Sequence, residues 1–296
     1  MTFLLQLVVT GLAQGMIYAL IAIGFVIILK CSQAFNIAQG QFVMIGGYLG
    51  YTFLVTFHLP VWASLLAAIA VAIIMGLVIE RLTLRPLVGQ PVLAVVMMTI
   101  ALGTVLDGLA TLIWGAEYKT YHGVLPTITL KVGEISIAPE TLIGVMVSIA
   151  VVAILMLFFR YTKSGLAMMA TAEDERVVQS AGIRVTTVYA LSWIIACITG
   201  VISGILLGGV SGAMVSMSEV GLKAFAVVLL GGVNSIGGAI VAGIILGVLE
   251  NVAAGYLDPL LPTGGGLANV FPFIVMIIVL IFRPYGLFGL QRIERI

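Results

Sequence analysis

The chain has 296 residues, of which 62% are hydrophobic and 8% are charged, and its formal net charge is +1. A soluble domain needs about a quarter of its residues charged to solvate its surface, so this composition excludes one. The net charge also excludes a strongly basic face for nucleic acid. We expect an all-α, polytopic membrane helix bundle of eight or nine hydrophobic segments, with residues 1–296 forming one transmembrane domain.

The hydrophobic segments follow one another with short polar breaks. The first 29 residues carry no charged side chain, which predicts an uncleaved first span ending at Lys30. The next uncharged stretch is too long for one span and is broken near His58 and Pro60, so it divides into residues 40–57 and 61–80. The first of these is short and rich in glycine, and it either crosses the membrane or re-enters. The later segments are 91–114, 141–159, 187–208, 222–233, 237–256 and 267–282.

The basic residues outside the spans predict the orientation. They gather in residues 80–90, in residues 160–184 and in the tail that contains Arg283, Arg292 and Arg295. Because Lys and Arg in short loops mark the cytoplasmic side, we expect a cytoplasmic C-terminus and an external N-terminus. On the opposite side, the alternating run 128–132 predicts a small β-hairpin at the membrane surface.

Glycine makes up 35 residues, and many lie four positions apart inside apolar segments, as in Gly11/Gly15 and Gly243/Gly247. Small residues at this spacing let helix backbones touch, which predicts a tightly packed bundle. Two glycine-spaced segments begin alike, one with Asn36 and the other with Asn234. Because transporters are often built from duplicated halves, this similarity suggests a faint internal repeat, and chance explains it equally well.

Polar residues within lipid-length segments are candidates for a translocation pathway because they are costly in hydrocarbon. A pathway role and a packing role are both open for Glu250 with Asn251, while Asp107 can reach the membrane interface. Glu219 and Lys223 are spaced i, i+4 in the favourable order, which predicts a structural ion pair. The pathway candidates are Asn36, Gln39, Gln41, Asn234, Glu250 and Asn251.

The longest charged stretch lies within residues 160–186. Its sequence predicts one short amphipathic helix with Thr171 as N-cap, acidic residues in the first turn and a stop at Gly182. A helix held between two spans can dock on a soluble partner, although an ordinary solvated connector has the same composition.

No chemistry of its own is indicated for the chain. Cys31 and Cys197 are far apart, and His58 and His122 have no neighbouring ligand at metal-binding spacing. No phosphate-binding GxxxxGK[ST] loop and no catalytic constellation is present in the sequence. We therefore expect a non-enzymatic transport subunit without a metal or cofactor of its own, and any ATP hydrolysis must occur on another polypeptide.

Several motifs resemble the permeases of branched-chain amino acid ABC importers over nearly the whole chain. They are residues 15–24, Phe35 to Gly40, Met44 to Tyr48, Ala172-Glu173-Asp174 with Ala181-Gly182-Ile183, Leu222 to Phe225, and Leu230 to Gly232. The chain is more similar to the shorter of the two permease subunits of such importers. One departure is Gln39, which stands where the family often has His and removes a titratable group.

The resemblance implies one half of a heterodimeric pore in the bacterial cytoplasmic membrane. The implied partners are a second permease, two ATPase subunits that hold ATP and Mg, and an extracytoplasmic solute-binding protein. It also implies ATP-driven alternating access, coupled through residues of the cytoplasmic segment: Ala172, Glu173, Asp174, Arg176, Ala181, Gly182 and Ile183.

The alternatives differ in substrate or in energy source. The same family includes permeases for urea, short amides and aromatic acids. A gradient-driven secondary transporter would need a buried ion-coupling carboxylate, for which Asp107 and Glu250 are the candidates. A facilitator would need neither ATP nor a second gradient, and a membrane scaffold would give no flux at all.

Overall fold

The computed structural model describes residues 2–87, 89–121, 130–132, 135–260 and 266–289. Its helices are α1 (Thr2–Ser32), α2 (Gln39–Tyr51), α3 (Val61–Ile79), α4 (Val92–Trp114), α5 (Pro139–Tyr161), α6 (Lys163–Glu173), α7 (Glu175–Ser180), α8 (Val185–Ser211), α9 (Val220–Gly231), α10 (Ile236–Tyr256) and α11 (Leu267–Phe282). Strands β1 (Leu130–Val132) and β2 (Ile135–Ile137) pair antiparallel. The predicted hairpin is therefore confirmed, although residues 128 and 129 lie outside the described residues.

Every predicted hydrophobic segment contains a helix, but the helices differ in length. Six in the described ranges are long and apolar enough to cross a membrane, namely α1, α3, α4, α5, α8 and α10, and α11 is shorter at 16 residues. Helices α2 and α9 have 13 and 12 residues, about 20 Å of helix against a hydrocarbon core of about 30 Å. The predicted count of eight or nine membrane segments is therefore not confirmed in the described residues. The segment 40–57 is an α-helix only to Tyr51 and continues as a π-helix over Thr52–Thr56, and α9 is shorter than a full span.

Helices α1 and α10 cross antiparallel with their backbones in contact. A Cβ atom built on Gly15 would lie 2.6 Å from Gly243 O, and one on Gly247 would lie 2.3 Å from Gly15 N. Neither position has room for a side chain. The glycines at spacing four thus allow the close backbone contact that the sequence predicts. The contact joins α1, the first helix, to α10 near the other end of the chain.

The centre of the bundle is formed by α1 and α8, with α2 and α10 packed against them. In the most apolar part of α1 83% of the residues are buried, whereas the figure is 17% in α4 and in α5. The outer faces of α4 and α5 carry exposed large apolar side chains such as Leu112 and Ile154. These outer helices are suited to contact lipid.

The bundle has two chemically different ends. One, here called the basic end, contains the end of α1 at Lys30, the end of α3 near Arg85 and the start of α8 after Arg184. The segment 283–289 returns to this end, where Leu287 N and Phe288 N donate to carbonyls at the end of α9. The described parts of the three basic regions that the sequence assigns to one side therefore lie together, while Arg292 and Arg295 lie outside the described residues.

The opposite, far end holds the start of α1 and the segment before β1. Phe3 packs on Tyr256, and Lys119 pairs with Ala213 through backbone hydrogen bonds. Tyr121 OH donates to Gly47 O of α2, and burial raises the pKa of Tyr121, so the hydroxyl stays protonated at neutral pH. This contact ties the segment before the hairpin to α2.

Candidate functional site at the centre of the bundle

Helix α2 begins in the middle of the bundle rather than at its surface. After α1 ends, residues 33–38 run back along the bundle without helical structure, and Gln33 has a positive φ of 50°. The side chain of Gln39 then donates to Ala196 O, about midway along α8, at 3.1 Å. The span that contains α2 is therefore broken, with a non-helical half near the basic end and a helical half towards the far end.

Side chains hold the non-helical half in place. Asn36 Nδ2 donates to Gln39 Oε1 at 3.1 Å, and Asn36 Oδ1 accepts from Ala38 N at 3.1 Å. From α4, Thr99 Oγ1 accepts from Ile37 N at 3.3 Å. Its single hydroxyl hydrogen is shared between Phe35 O at 3.2 Å and Val96 O of its own helix at 2.9 Å. Backbone groups buried in a bundle must be satisfied when the helix is broken, and the two amides and the hydroxyl satisfy them here.

The start of α9 meets the start of α2. A Cβ atom on Gly221 would lie 2.5 Å from Gly40 Cα, and one on Gly40 would overlap Ser218 O. The two short helices run in opposite directions from this contact, since α9 continues to the basic end and α2 to the far end. Because the N-terminus of a helix carries a partial positive charge, the positive end of α2 is brought to the centre of the bundle, whereas a 3₁₀ segment, Val215–Glu219, runs directly into α9.

Beside this junction lies a cavity of ≈ 280 Å³, here called the central cavity. It lies between α4 and α9 and is lined by Phe25, Phe35, Asn36, Ile37, Val96 and Phe225. The ring centroid of Phe225 is 5.9 Å from that of Phe25 and 6.3 Å from that of Phe35. The cavity is thus apolar and aromatic, with one amide group in its wall.

The predicted ion pair between Glu219 and Lys223 is not what the structure has. Lys223 Nζ instead lies 2.6 Å from Glu250 Oε1 of α10 and donates to Asn269 Oδ1 of α11 at 2.9 Å. Glu219 ends a 3₁₀ segment, Val215–Glu219, before α9 begins, and it is exposed. The i, i+4 rule assumes one continuous α-helix through both residues, and this condition is not met.

The other polar candidates separate into different places. Gln41 Nε2 donates to Asp107 Oδ2 of α4 at 3.2 Å, on the far-end side of the central cavity. Asn251 bonds to Gly247 O of its own helix and faces Thr10 of α1. Asn234 is exposed in a turn at the basic end, whereas Asn36 is buried, so the two residues do not have equivalent roles.

The charged segment 160–186 forms two helices, and the prediction of a single helix capped by Thr171 is wrong. Helix α6 is capped by Thr162, which accepts from Gly165 N, while Thr171 lies inside α6 and donates to Ala167 O. The chain then breaks at Asp174, whose carboxylate accepts from Arg176 N and Val177 N and caps α7. Asp174 takes this role because its extended backbone places the carboxylate over two free N–H groups.

Helix α6 is anchored in the bundle, and α7 is mostly exposed, although its Val178 is buried. Met168 is fully buried against α1, where Cys31 Sγ donates to Met168 O. The predicted coupling residues Glu173, Asp174, Arg176, Ala181, Gly182 and Ile183 are all exposed, and Ala172 is half-buried. Gly182 ends the segment with a φ of +80°, as the sequence predicts.

A second cavity, of ≈ 200 Å³, connects α7 to the bundle at the basic end. Its wall includes Gln33 before α2, Glu80 and Arg85 after α3, Glu175 of α7 and Tyr189 of α8. A movement of α7 therefore changes the wall of a cavity that reaches the broken span. In the described part of the chain, no three His, Cys, Asp or Glu side chains are grouped to hold a metal ion.

Reasoning from sequence missed the aromatic cluster and Thr99. Phe35 and Phe225 belong to motifs that carry the family resemblance, but neither motif shows that they meet. Thr99 gives no signal in the sequence, since a Thr in an apolar helix usually bonds to its own backbone. Asp174 could have been recognised as a cap from the acidic residue that follows it.

Residues 7–280 match the family described as branched-chain amino acid transport system, permease component. The high-affinity branched-chain amino acid transport permease LivH of Salmonella typhimurium is 30% identical over 310 aligned positions, which cover 99% of this chain and 98% of LivH. BraD of Pseudomonas aeruginosa is 32% identical and covers the same shares. A probable LivH of Methanocaldococcus jannaschii is 28% identical over 92% of this chain and 88% of its own length.

Proposed function

The chain belongs to the family of branched-chain amino acid transport permeases, and on that premise we propose that it is a membrane-spanning subunit of an ATP-driven importer. Its substrates are branched-chain or related hydrophobic amino acids. The observation that carries the proposal is similarity to named amino-acid permeases over nearly the full length of both chains. The chain is a transport subunit and not itself the catalyst of ATP hydrolysis.

The importer consists of this permease, a second permease, two ATPase subunits that bind ATP and Mg, and an extracytoplasmic solute-binding protein. The chain lies in the bacterial cytoplasmic membrane as one domain, with the basic end in the cytoplasm. The C-terminus is then cytoplasmic and the N-terminus external. The clustering of the basic regions at one end supports this orientation, and the positive-inside rule assigns that end to the cytoplasm.

The chain traverses the membrane nine times in this proposal. Seven traverses are the helices α1, α3, α4, α5, α8, α10 and α11, and two are the broken segments that contain α2 and α9. The broken segments support a pathway at the centre, because transporters place irregular backbone where it lines a route for solute. Asn36, Gln39 and Gln41 lie along this route, and the Lys223–Glu250 pair lies behind it.

Helices α6 and α7 transmit the closure of the ATPase pair to the spans. The anchoring of Met168 supports rigid attachment of α6, and the exposed apolar side chains of Val177 and Ile183 support docking of a protein partner on α7. The cavity shared by Glu175 and Gln33 gives the movement a direct route to the broken span. Coupling between the ATPase-docking surface of α7 and the broken span requires contacts of this kind, which let both sites bias the same two conformations.

The Lys223–Glu250 ion pair argues against Glu250 as the ion-coupling carboxylate of a gradient-driven transporter. An ion-coupling carboxylate must exchange its counter-ion during each cycle, whereas Glu250 already has a lysine 2.6 Å away. The same family fold serves an importer of urea, short amides or aromatic acids, so the choice among substrates is decided by transport measurements.

The test is to purify the chain from its own membrane in mild detergent, identify co-purifying proteins by mass spectrometry, and reconstitute the assembly in liposomes. We expect two ATPase subunits, a second permease, and ATP-dependent uptake of leucine, isoleucine or valine with the binding protein present. The matched control is the same assembly with a hydrolysis-deficient ATPase. Uptake that persists without ATP and collapses with an ionophore would overturn the proposal.

A further inference from the structure

We propose that the central cavity binds the aliphatic side chain of the transported amino acid and so contributes to substrate selection. This inference rests on the proposed function and deepens it. The cavity occupies ≈ 280 Å³ between α4 and α9. Ligand pockets usually occupy about 300–1,000 Å³, so this one is at the size of a single small ligand.

The lining suits a solute with an apolar body and a polar end. Three aromatic rings and the side chains of Ile37 and Val96 form the apolar wall, and Asn36 adds one amide. One N–H of Asn36 is donated to Gln39 and its oxygen accepts from Ala38. An amide nitrogen carries two hydrogens, and within the described part of the chain only one of them is bonded, which leaves the second for a ligand.

The position of the cavity favours a solute over a lipid chain. Asn36 is 1% exposed and is bonded to Gln39, which marks the middle of α8, so the amide lies at the depth of lipid methylenes. A methylene chain cannot accept its hydrogen bond, whereas a carboxylate or carbonyl of an amino acid can. Ile37 in the wall is 43% exposed, so the cavity can be entered.

The wall of the cavity is part of the element that the proposed mechanism moves. Phe35, Asn36 and Ile37 belong to the non-helical half-span, which continues from Gln33 in the cavity at the basic end. Phe225 lies on α9, one turn after Leu222. A shift of residues 33–38 against α9 would therefore open or close the cavity, as release of a bound side chain requires.

Val96→Trp tests the cavity because a large ring there fills it from α4, and Met97→Trp is the matched control because Met97 is 57% exposed on the same helix. Uptake of leucine and alanine is measured in the reconstituted importer, each at a concentration that saturates the binding protein. Each buried methylene changes affinity by roughly fourfold, so we expect Val96→Trp to lower the leucine-to-alanine rate ratio by at least about tenfold. Met97→Trp should leave the ratio unchanged.

A second measurement does not depend on transport rate. Val96→Cys is labelled with a small thiol reagent in the assembled importer, where native Cys31 and Cys197 are buried. Leucine in excess should slow the labelling at least severalfold, and Met97→Cys should be labelled at the same rate with and without it. Labelling of Val96→Cys that leucine does not affect would mean that lipid fills the cavity and would overturn the inference. If Val96→Cys is labelled in the free chain but never in the assembly, the second permease fills the cavity, and the inference is overturned as well.

The two proposals fail in different ways. A wild-type assembly that does not transport branched-chain amino acids refutes the proposed function. A wild-type assembly that transports leucine, combined with an unchanged leucine-to-alanine ratio in Val96→Trp, refutes the cavity inference alone. An equal fall for both substrates counts against selection in the cavity as well.

Discussion

Replacement of Gly247 by alanine tests how the bundle is held together at the α1–α10 crossing. The new methyl group would lie 2.3 Å from Gly15 N and 2.4 Å from Gly15 Cα. Carbon atoms pack at about 3.5 Å or more, and backbone atoms cannot rotate away, so the helices would have to separate by about 1 Å. Overpacking of this kind costs about 1–3 kcal/mol. At about 2–4 °C per kcal/mol, the midpoint of thermal unfolding in detergent should fall by about 2–12 °C.

The assay is thermal unfolding of the assembled importer, followed by size-exclusion chromatography with fluorescence detection. Gly108→Ala is the matched control, because Gly108 lies within α4 and a Cβ atom there meets nothing within 4 Å. Alanine is the better helix former, so this control should be neutral or slightly stabilising. If Gly247→Ala and Gly108→Ala unfold at the same temperature, the close crossing does not contribute to stability as argued.

Three further tests address the central site and the coupling segment. Lys223→Met and Glu250→Met should each lower the free energy of unfolding by about 3–5 kcal/mol, because each leaves one buried charge without its partner. The double variant should recover most of this loss. Additive losses in a double-mutant cycle, measured by thermal unfolding, would contradict the pairing. Gln39→Met should cost about 1–3 kcal/mol because the buried Asn36 Nδ2 loses its acceptor, with exposed Gln179→Met as control, and equal unfolding temperatures would refute this. Asp174→Ala should lower substrate-stimulated ATPase activity, because α7 loses about 1 kcal/mol of capping energy. Asp174→Asn should retain the activity, because asparagine also caps a helix. Unchanged ATPase stimulation in the alanine variant would mean that α7 has no part in the mechanism.

The helices could be predicted from the sequence because each one depends on local composition. Apolar runs bounded by Lys30, by Pro60 or by Gly182 mark helix positions without any knowledge of the fold. The glycine pairs also predicted close crossings. The spacing of glycines does not show which helix packs against which. Gly15 contacts Gly247, for example, although the two lie more than 200 residues apart in the chain.

The errors arose where one local rule had two possible outcomes. The ion-pair rule assumed an α-helix through Glu219 and Lys223, but the 3₁₀ segment before α9 removed that register and Glu250 became the partner. Likewise Thr171 and Asp174 are both good caps, and the anchoring of Met168 in the bundle extends α6 past Thr171. Tertiary packing decided both cases, and a single sequence does not contain it.

The non-helical half-span gives the centre of the protein an uneven stiffness. A helix holds its shape through a ladder of bonds and moves only as a rod, whereas residues 33–38 are held by separate tethers from Asn36, Gln39 and Thr99. One tether can be exchanged for another without unwinding anything. The glycine-packed α1–α10 pair can therefore stay fixed as a frame while the wall beside it deforms, so the passage can change shape at the energetic cost of a few hydrogen bonds rather than of a helix.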